Sequence, residues 1–191
     1  MERPSGFLGG SVHDAALRTA DILAVLLPWP ANRLAPGTPE ERTRLVEILR
    51  NYGESEAADI SPADLADLRQ AAAKLRPVFA AADASAAANR INALLAGRAH
   101  PPRLTSHGGT SGWHLHVDSN DDAGWAEWFL TSSCLALAVL LAERQAPPAG
   151  FCASPSCGRP FVNVGRGAAR RYCSPTCGTR ERVAIHRSSR S

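Results

Sequence analysis

Four cysteines near the C-terminal end constrain this chain more than any other feature. They form two close pairs separated by fifteen residues: Cys152 and Cys157, then Cys173 and Cys177. Residues 1–10 lack the basic start and apolar run of a secretory signal, so we expect a cytoplasmic protein with reduced thiols. Two close pairs of reduced cysteines are typical of a metal site, and four thiolates suit tetrahedral Zn²⁺. A rubredoxin-like iron site is the alternative, but the sequence has no redox-partner motif.

The charge of the chain is divided unevenly along its length. The 191 residues carry +3 overall, yet residues 151–191 hold eight arginines and a single acid, Glu181. The basic end therefore has a net charge of +7, which leaves −4 on residues 1–150. A basic end on an acidic body predicts that the end meets a polyanion.

The segment around the cysteines predicts a small module that zinc holds together. Residues 161–164 and 171–172 are expected to form two strands, followed by a helix from Thr176 to about Arg187. Cys177 would lie in the first turn of that helix, where the helix N-terminus favours a thiolate. A knuckle, a hairpin and a helix that carries the last ligand make a treble-clef-like fold. Apolar residues are few and a shell of four cysteines is closed, so the prediction is one structural Zn²⁺.

Residues 1–145 predict a mainly helical domain with one small β-hairpin, an α+β fold. Helix-start signals stand at Ser11, Thr38 and Ser61, and the last two are followed by a proline at the first helical position. The expected helices cover residues 11–27, 39–53, 62–79, 85–95 and 121–144. A kink or break is expected one residue before Pro77.

An alternating pattern predicts the hairpin near residues 103–118. One face would carry Trp113, Leu115 and Val117, and the other His114 and His116. Two histidines at this spacing can bind a metal ion. We favour a plain polar outer face, because no nearby cysteine or cluster of acids completes a ligand shell.

A long apolar stretch closes the helical domain. Residues 128–142 carry no charge, but fifteen residues fall short of the roughly 20 that span a bilayer. We expect a buried core helix, no membrane partner, and a Cys134 that acts as a small buried hydrophobe. Residues 146–150, Ala-Pro-Pro-Ala-Gly, predict a linker to the second domain at 151–191.

The C-terminal motifs resemble the CGNR zinc finger. The shared residues are both cysteine pairs, Phe161, Arg170-Arg171-Tyr172-Cys173-Ser174, Cys177-Gly178-Thr179-Arg180, Ala184 and His186-Arg187. Thr179 stands where the family usually has Asn. This module usually follows an N-terminal ABATE domain in bacterial proteins proposed to be transcription regulators, and residues 1–150 are similar to that domain in outline. The resemblance implies a zinc-dependent, DNA-binding regulator.

Seven basic side chains are the candidates for contact with double-stranded DNA: Arg166, Arg170, Arg171, Arg180, Arg182, His186 and Arg187. Arg180 and Arg187 are seven residues apart and share a helix face. Guanidinium groups bind phosphate bidentately and release counterions, which predicts salt-sensitive binding. Arg180 and Arg182, near the helix start, are the first candidates for groove entry.

Other functions stay open beside this leading hypothesis, in which the helical domain senses a small-molecule effector or forms a homodimer. The basic module can instead dock onto an acidic protein surface without specific DNA binding, or be a solvated tail. Trp113, Trp125 and Trp128 can line a ligand pocket, although such residues are more often core. An enzyme is not expected, because the acid–base candidates form no catalytic spacing: His13, Asp14, His107, His114, His116 and Asp118.

Overall fold

The computed structural model describes residues 12–109, 112–165 and 168–188. These ranges contain six α-helices, two short 3₁₀ segments at Ser55–Asp59 and His107–Gly109, and two antiparallel strand pairs. The helices are α1 Val12–Leu26, α2 Pro39–Asn51, α3 Pro62–Phe79, α4 Ala84–Arg98, α5 Trp125–Arg144 and α6 Pro175–Ser188. The strands are β1 Arg103–Thr105, β2 His114–His116, β3 Ala149–Phe151 and β4 Pro160–Val162.

Short-range capping bonds set the starts of the helices, as the sequence predicts. The Thr38 side chain accepts a hydrogen bond from the Glu41 backbone N–H at 3.3 Å, and Ser61 and Asp64 form a reciprocal capping box. Each cap satisfies a backbone donor that the first helical turn leaves without a partner. Asp83 caps α4 in the same way, one residue earlier than expected. The predicted cap at Ser11 lies outside the described residues.

The predicted break before Pro77 and the boundaries predicted for two other helices are wrong. The helix α3 runs through Pro77 to Phe79 without a break, because the proline lies in the last turn, where few backbone bonds remain to be lost. The helix α4 continues past Gly97 to Arg98 and ends before Pro101-Pro102. The helix α5 begins at Trp125 rather than at residue 121.

The helix α5 lies at the centre of the core and packs against α1, α3 and α4. It is long and apolar enough to cross a bilayer by length and composition, with a mean hydropathy of 1.6. Its apolar side chains instead meet other helices: Phe129, Leu137 and Leu140 are fully buried. Cys134 is also buried, which raises the pKa of its thiol to about 12 and confirms its prediction as a small core residue.

The strand pairing differs from the sequence prediction at the C-terminal end. The predicted hairpin of residues 103–118 is confirmed, with Leu104 opposite Leu115. In the C-terminal part, β4 pairs with β3, and residues 171–172 form no strand in the described range. Strand β3 thus occupies the position beside β4 that residues 171–172 were expected to fill. The Arg171 carbonyl instead accepts a backbone hydrogen bond from the Ala153 N–H at 2.9 Å.

The C-terminal module, defined as residues 149–188, packs directly on the helical body, residues 12–145. Ala149 and Val162 belong to the same buried core as α1, α3 and α5, and the Phe151 ring lies 5.9 Å from that of Phe79. The predicted linker is therefore wrong for Ala149 and Gly150, which form strand β3 instead of a free connection. Burial of the apolar side chains of β3 and β4 in the core attaches this segment to the body.

Candidate metal centre and basic surface

Two loops of the C-terminal module bring the four predicted cysteines together. Cys152 follows β3 and Cys157 lies in the next turn, while Cys173 precedes α6 and Cys177 lies in its first turn. Their sulfur atoms all lie within 4.8 Å of one another. The Cys157–Cys173 and Cys173–Cys177 sulfur distances are 3.7 and 3.8 Å. Four thiolates at about 2.3 Å from a tetrahedral Zn²⁺ are about 3.8 Å apart, so the cluster has the size that zinc requires.

Local backbone geometry positions the first pair of cysteines. The backbone N–H groups of Cys157 and Gly158 both donate to the Ser154 carbonyl, at 2.9 and 3.2 Å, and close a tight turn. Gly158 has a φ of +71°, in the left-handed region that favours glycine. A Cβ at this residue would lie 2.5 Å from Cδ of Pro30, so the turn also needs glycine for its close approach to the body.

The start of α6 positions the second pair. The Ser174 hydroxyl accepts a hydrogen bond from the Cys177 backbone N–H at 3.2 Å, which caps the helix beside the cluster. The positive end of the helix dipole then faces the sulfur of Cys177. The Glu181 carboxylate, one turn further along α6, accepts a hydrogen bond from the Ser154 hydroxyl at 2.6 Å. This bond ties α6 to the loop that carries the first pair.

The electrostatics of the cluster call for a cation. Burial and the three neighbouring sulfur atoms raise the pKa of Cys173 to about 12. Burial alone would also raise the pKa of Cys152, but backbone donors at Cys173 and Ser154 outweigh it and lower that pKa. Four thiolates at this spacing repel one another strongly, and a divalent ion removes the repulsion by binding all four.

Aromatic side chains cover the cluster from two sides. Trp29 of the body and Tyr172 of the module pack against the cysteines. The Trp29 indole N–H donates to the Ala24 carbonyl at 2.8 Å, which fixes the ring at the end of α1. In the sequence, Pro28-Trp29-Pro30 directly follows the expected helix of residues 11–27, and nothing local reveals that this segment forms a wall of the metal centre.

The basic candidates lie on the outer surface of the module. The exposed ones are Arg170, Arg171, Arg180, Arg182, His186 and Arg187, while Arg166 lies outside the described residues. Arg180 donates to the Ser156 hydroxyl at 3.3 Å, and Arg182 to the Thr179 hydroxyl at 3.1 Å. Both guanidinium groups are thus oriented by side chains of the module while staying in contact with solvent.

Two exposed arginines of the module also have structural contacts. Arg170 donates to the Val162 carbonyl at 2.5 Å and lies over the Phe161 ring at 5.3 Å. Arg159 pairs with Asp21 of α1 at 2.9 Å. The Tyr52 hydroxyl donates to the same Asp21 carboxylate at 2.9 Å. Part of the positive charge that the sequence assigns to the basic end therefore docks the module on the acidic body.

The three tryptophans proposed for a pocket do not meet. Trp113 is 75% exposed on the hairpin, whereas Trp125 and Trp128 pack edge to face with ring centroids 5.4 Å apart. The Arg18 guanidinium lies 4.1 Å from the Trp128 ring centroid. A separate cleft of about 610 Å³ lies among α3, α4 and α5, lined by Asp67, Lys74, Arg98 and His100 among others.

Comparison with known proteins identifies the C-terminal module. No curated protein matches the chain. Residues 149–190 match the family model of the CGNR zinc finger, which covers the four cysteines and the basic surface beside them. The C-terminal part of the chain is thus similar to a CGNR zinc finger, and its cysteines 152, 157, 173 and 177 hold one structural Zn²⁺.

Proposed function

We propose that this protein is a zinc-dependent transcription regulator that binds double-stranded DNA through the outer surface of α6. The carrying observation is that Arg180, Arg182 and Arg187 are exposed on a helix whose first turn holds a zinc ligand. A metal-anchored helix presents its charges in a fixed direction, unlike a loose cationic tail. Such a surface suits phosphate contacts and insertion of the helix start into a groove.

The spacing along α6 supports this assignment. Arg180 lies one turn beyond the ligand Cys177, and Arg187 lies two turns further on the same face. At 1.5 Å per residue the two guanidinium groups leave the helix about 10 Å apart along its axis. In this proposal the module acts as a treble-clef-like finger whose helix start enters a groove, so that Arg180 and Arg182, on opposite sides of the helix, face the two walls of the groove.

The proposed role of the body is to sense a small molecule or to form a homodimer, as an ABATE-like domain would. The cleft among α3, α4 and α5 has the volume of a small-molecule site and presents both signs of charge, from Asp67 and Lys74. A thermal-shift screen of charged metabolites with the full chain tests sensing, and sedimentation equilibrium tests dimerisation.

The test of DNA binding uses the full chain, because Ala149 and Val162 belong to the core of the body. Fluorescence anisotropy measures binding to a labelled duplex at two salt concentrations. The double variant R180A/R182A should weaken binding at least about tenfold. The slope of log K against log salt concentration should fall by the amount expected for about two lost phosphate contacts. The control R44A/R50A removes the same charge from the exposed surface of α2 and should change binding far less.

Two outcomes contradict this proposal. One is no binding at low salt by protein with a full complement of zinc. The other is an equal loss in R180A/R182A and in R44A/R50A, since that would reflect net charge rather than a surface of α6.

A protein partner is the second candidate function, because α6 also exposes apolar side chains. Val183 and Ile185 are 44% and 65% exposed. Exposed apolar residues among charges are typical of a protein contact. A partner captured from nuclease-treated lysate by the full chain, and lost in V183S/I185S, supports this candidate; capture that disappears with nuclease supports DNA.

A further inference from the structure

A second group of metal-ligand side chains lies on the hairpin of β1 and β2. The available ring nitrogens of His107, His114 and His116 lie within 4.8 Å of one another. The ring centroids are 4.8–5.2 Å apart, and two of the three ring pairs meet edge to face. The sequence indicated only His114 and His116, on a polar outer face without further ligands.

The structure corrects that expectation in two ways. The outer face of the hairpin is apolar, with Leu104 67% and Trp113 75% exposed, while all three histidines are half-buried. His107 joins the pair from the 3₁₀ turn with a φ of +47°, a conformation uncommon for residues other than glycine. This backbone places the third ring against the other two, which no sequence spacing reveals.

The partners of each Nδ1 atom fix the direction of the rings. His116 Nδ1 lies 2.9 and 3.0 Å from the two carboxylate oxygens of Asp118, and His114 Nδ1 lies 2.7 Å from the Gly112 carbonyl. Oxygen acceptors at these distances favour a proton on Nδ1 in both rings, and the Arg103 guanidinium, 3.3 Å from His116 Nδ1, donates at 2.6 Å to Asp118 instead. Each neutral ring then has its lone pair on Nε2, the atom that binds metal in such carboxylate–histidine arrangements.

Two of the Nε2 atoms lie close enough to share a proton or a metal ion. His107 Nε2 lies 3.1 Å from His114 Nε2. Two lone pairs at this distance repel each other unless a proton or a metal ion lies between them. A tetrahedral Zn²⁺ with bonds of about 2.0–2.1 Å holds its nitrogen ligands about 3.3–3.4 Å apart, so this pair already has the spacing of zinc ligands.

Two acidic side chains lie beside the cluster, where they can hold the histidine rings in place. Asp118 is buried and also accepts a hydrogen bond from Arg103 at 2.6 Å, which holds its carboxylate toward His116. Asp121 lies 3.8 Å from His107 Nδ1 and accepts a hydrogen bond from the Thr105 hydroxyl at 2.9 Å. Asp118 thus orients His116, and Asp121, from the predicted start of α5, lies beside His107.

We propose that His107, His114 and His116 bind a second divalent transition-metal ion, with Zn²⁺ as the natural candidate. Three neutral imidazoles suit zinc, cobalt and nickel, whereas magnesium and calcium prefer oxygen ligands. Three protein ligands leave one coordination position for water or an anion, in contrast to the closed shell of four cysteines. Asp118 is a positioning residue that fixes the His116 ring.

The test measures zinc per chain in the tag-free full-length protein after dialysis against zinc buffered with nitrilotriacetate. Wild-type protein should retain about two zinc ions, and H107A and H114A about one each. The control H100A removes an exposed histidine next to the hairpin, outside the cluster, and should retain about two. D118N should weaken the second ion by about 10–100-fold while leaving the first unchanged.

Cobalt substitution shows whether the variants remain folded. Cobalt in the cysteine site produces a thiolate-to-metal charge-transfer band, and the histidine site adds only ligand-field absorption. H107A and H114A should keep the charge-transfer band and lose the added absorption. The proposal fails if wild-type protein binds a single zinc ion, or if both variants bind the second one as tightly as wild type. Neither result depends on DNA binding.

Discussion

The helical body and the C-terminal module are stabilised by different physical means. In the body, the helix α5 buries apolar side chains on several sides, from Phe129 to Leu140. In the module, Cys177 is the one residue of α6 described as buried, and the local cluster consists of cysteines with two aromatic neighbours. Hydrophobic burial folds the first region, and metal ligation has to supply most of the stability of the second.

The strand pair β3–β4 connects the helical body to the C-terminal module. Ala149 and Val162 face the core of the body, while the turn between the strands carries Cys152 and Cys157. Loss of zinc therefore also destabilises the helical body, because the same strands complete the main core. The comparison predicts the loss in the free energy of unfolding for three kinds of change. Changes at the metal centre should cost the most, changes at the contact between the regions less, and changes to a helix cap of the body least.

The largest expected effect is that of C173S, which removes a zinc ligand. Zinc content should fall to near zero at the cysteine site, and the free energy of unfolding should fall by about 4 kcal/mol. Urea unfolding and mass-spectrometric metal analysis of the full chain measure both. The matched control is C134A, which removes the buried thiol of α5 and should cost about 1 kcal/mol with zinc retained. Equal losses in both variants would contradict the proposed division between the regions.

An intermediate effect is expected for G158A at the contact between the regions. The added methyl group meets Pro30 at 2.5 Å in a residue with a φ of +71°, so the turn must shift away from the body. We expect a loss of about 2 kcal/mol in urea unfolding, with the zinc content unchanged.

The control for this variant is G165A, an exposed glycine with nothing within 4 Å of an added Cβ. It should lie within about 0.5 kcal/mol of wild type. If G158A lost its zinc while remaining otherwise stable, the turn would serve the metal alone and not the docking of the module.

Sequence reasoning succeeded where the relevant partners are close along the chain. The caps at Thr38 and Ser61 involve residues three positions apart, and the cysteine pairs are separated by four and three residues, so their geometry is encoded locally. The contacts that join the regions were missed, because Asp21 and Arg159 are 138 residues apart and carry no signal of pairing.

The same reason explains the error at the start of α5. Asp121 looked like the first turn of a helix, since an acid there favours the helix dipole. In the structure, Arg103 and Thr105 of β1 bind its carboxylate, and α5 starts four residues later. Asp121 thus contacts the hairpin, and its local preference for a helix start does not decide where α5 begins.

The smallest effect is expected for a change to the capping box at the start of α3. Asp64 accepts hydrogen bonds from the Ser61 hydroxyl and backbone N–H, and these bonds lower the pKa of its carboxyl. A lowered folded-state pKa stabilises the protein above the unfolded value of about 3.9, and the gain is lost as the pH falls through the folded value. D64N should therefore cost about 0.5–1 kcal/mol near pH 7, and the difference from wild type should shrink toward pH 3. The control D67N removes an exposed charge of the same helix and should lie within about 0.5 kcal/mol of wild type near pH 7. Because the cap lies far from the metal in sequence and belongs to the apolar body, both variants should keep full zinc, and zinc loss in D64N would show that the two regions are not stabilised separately.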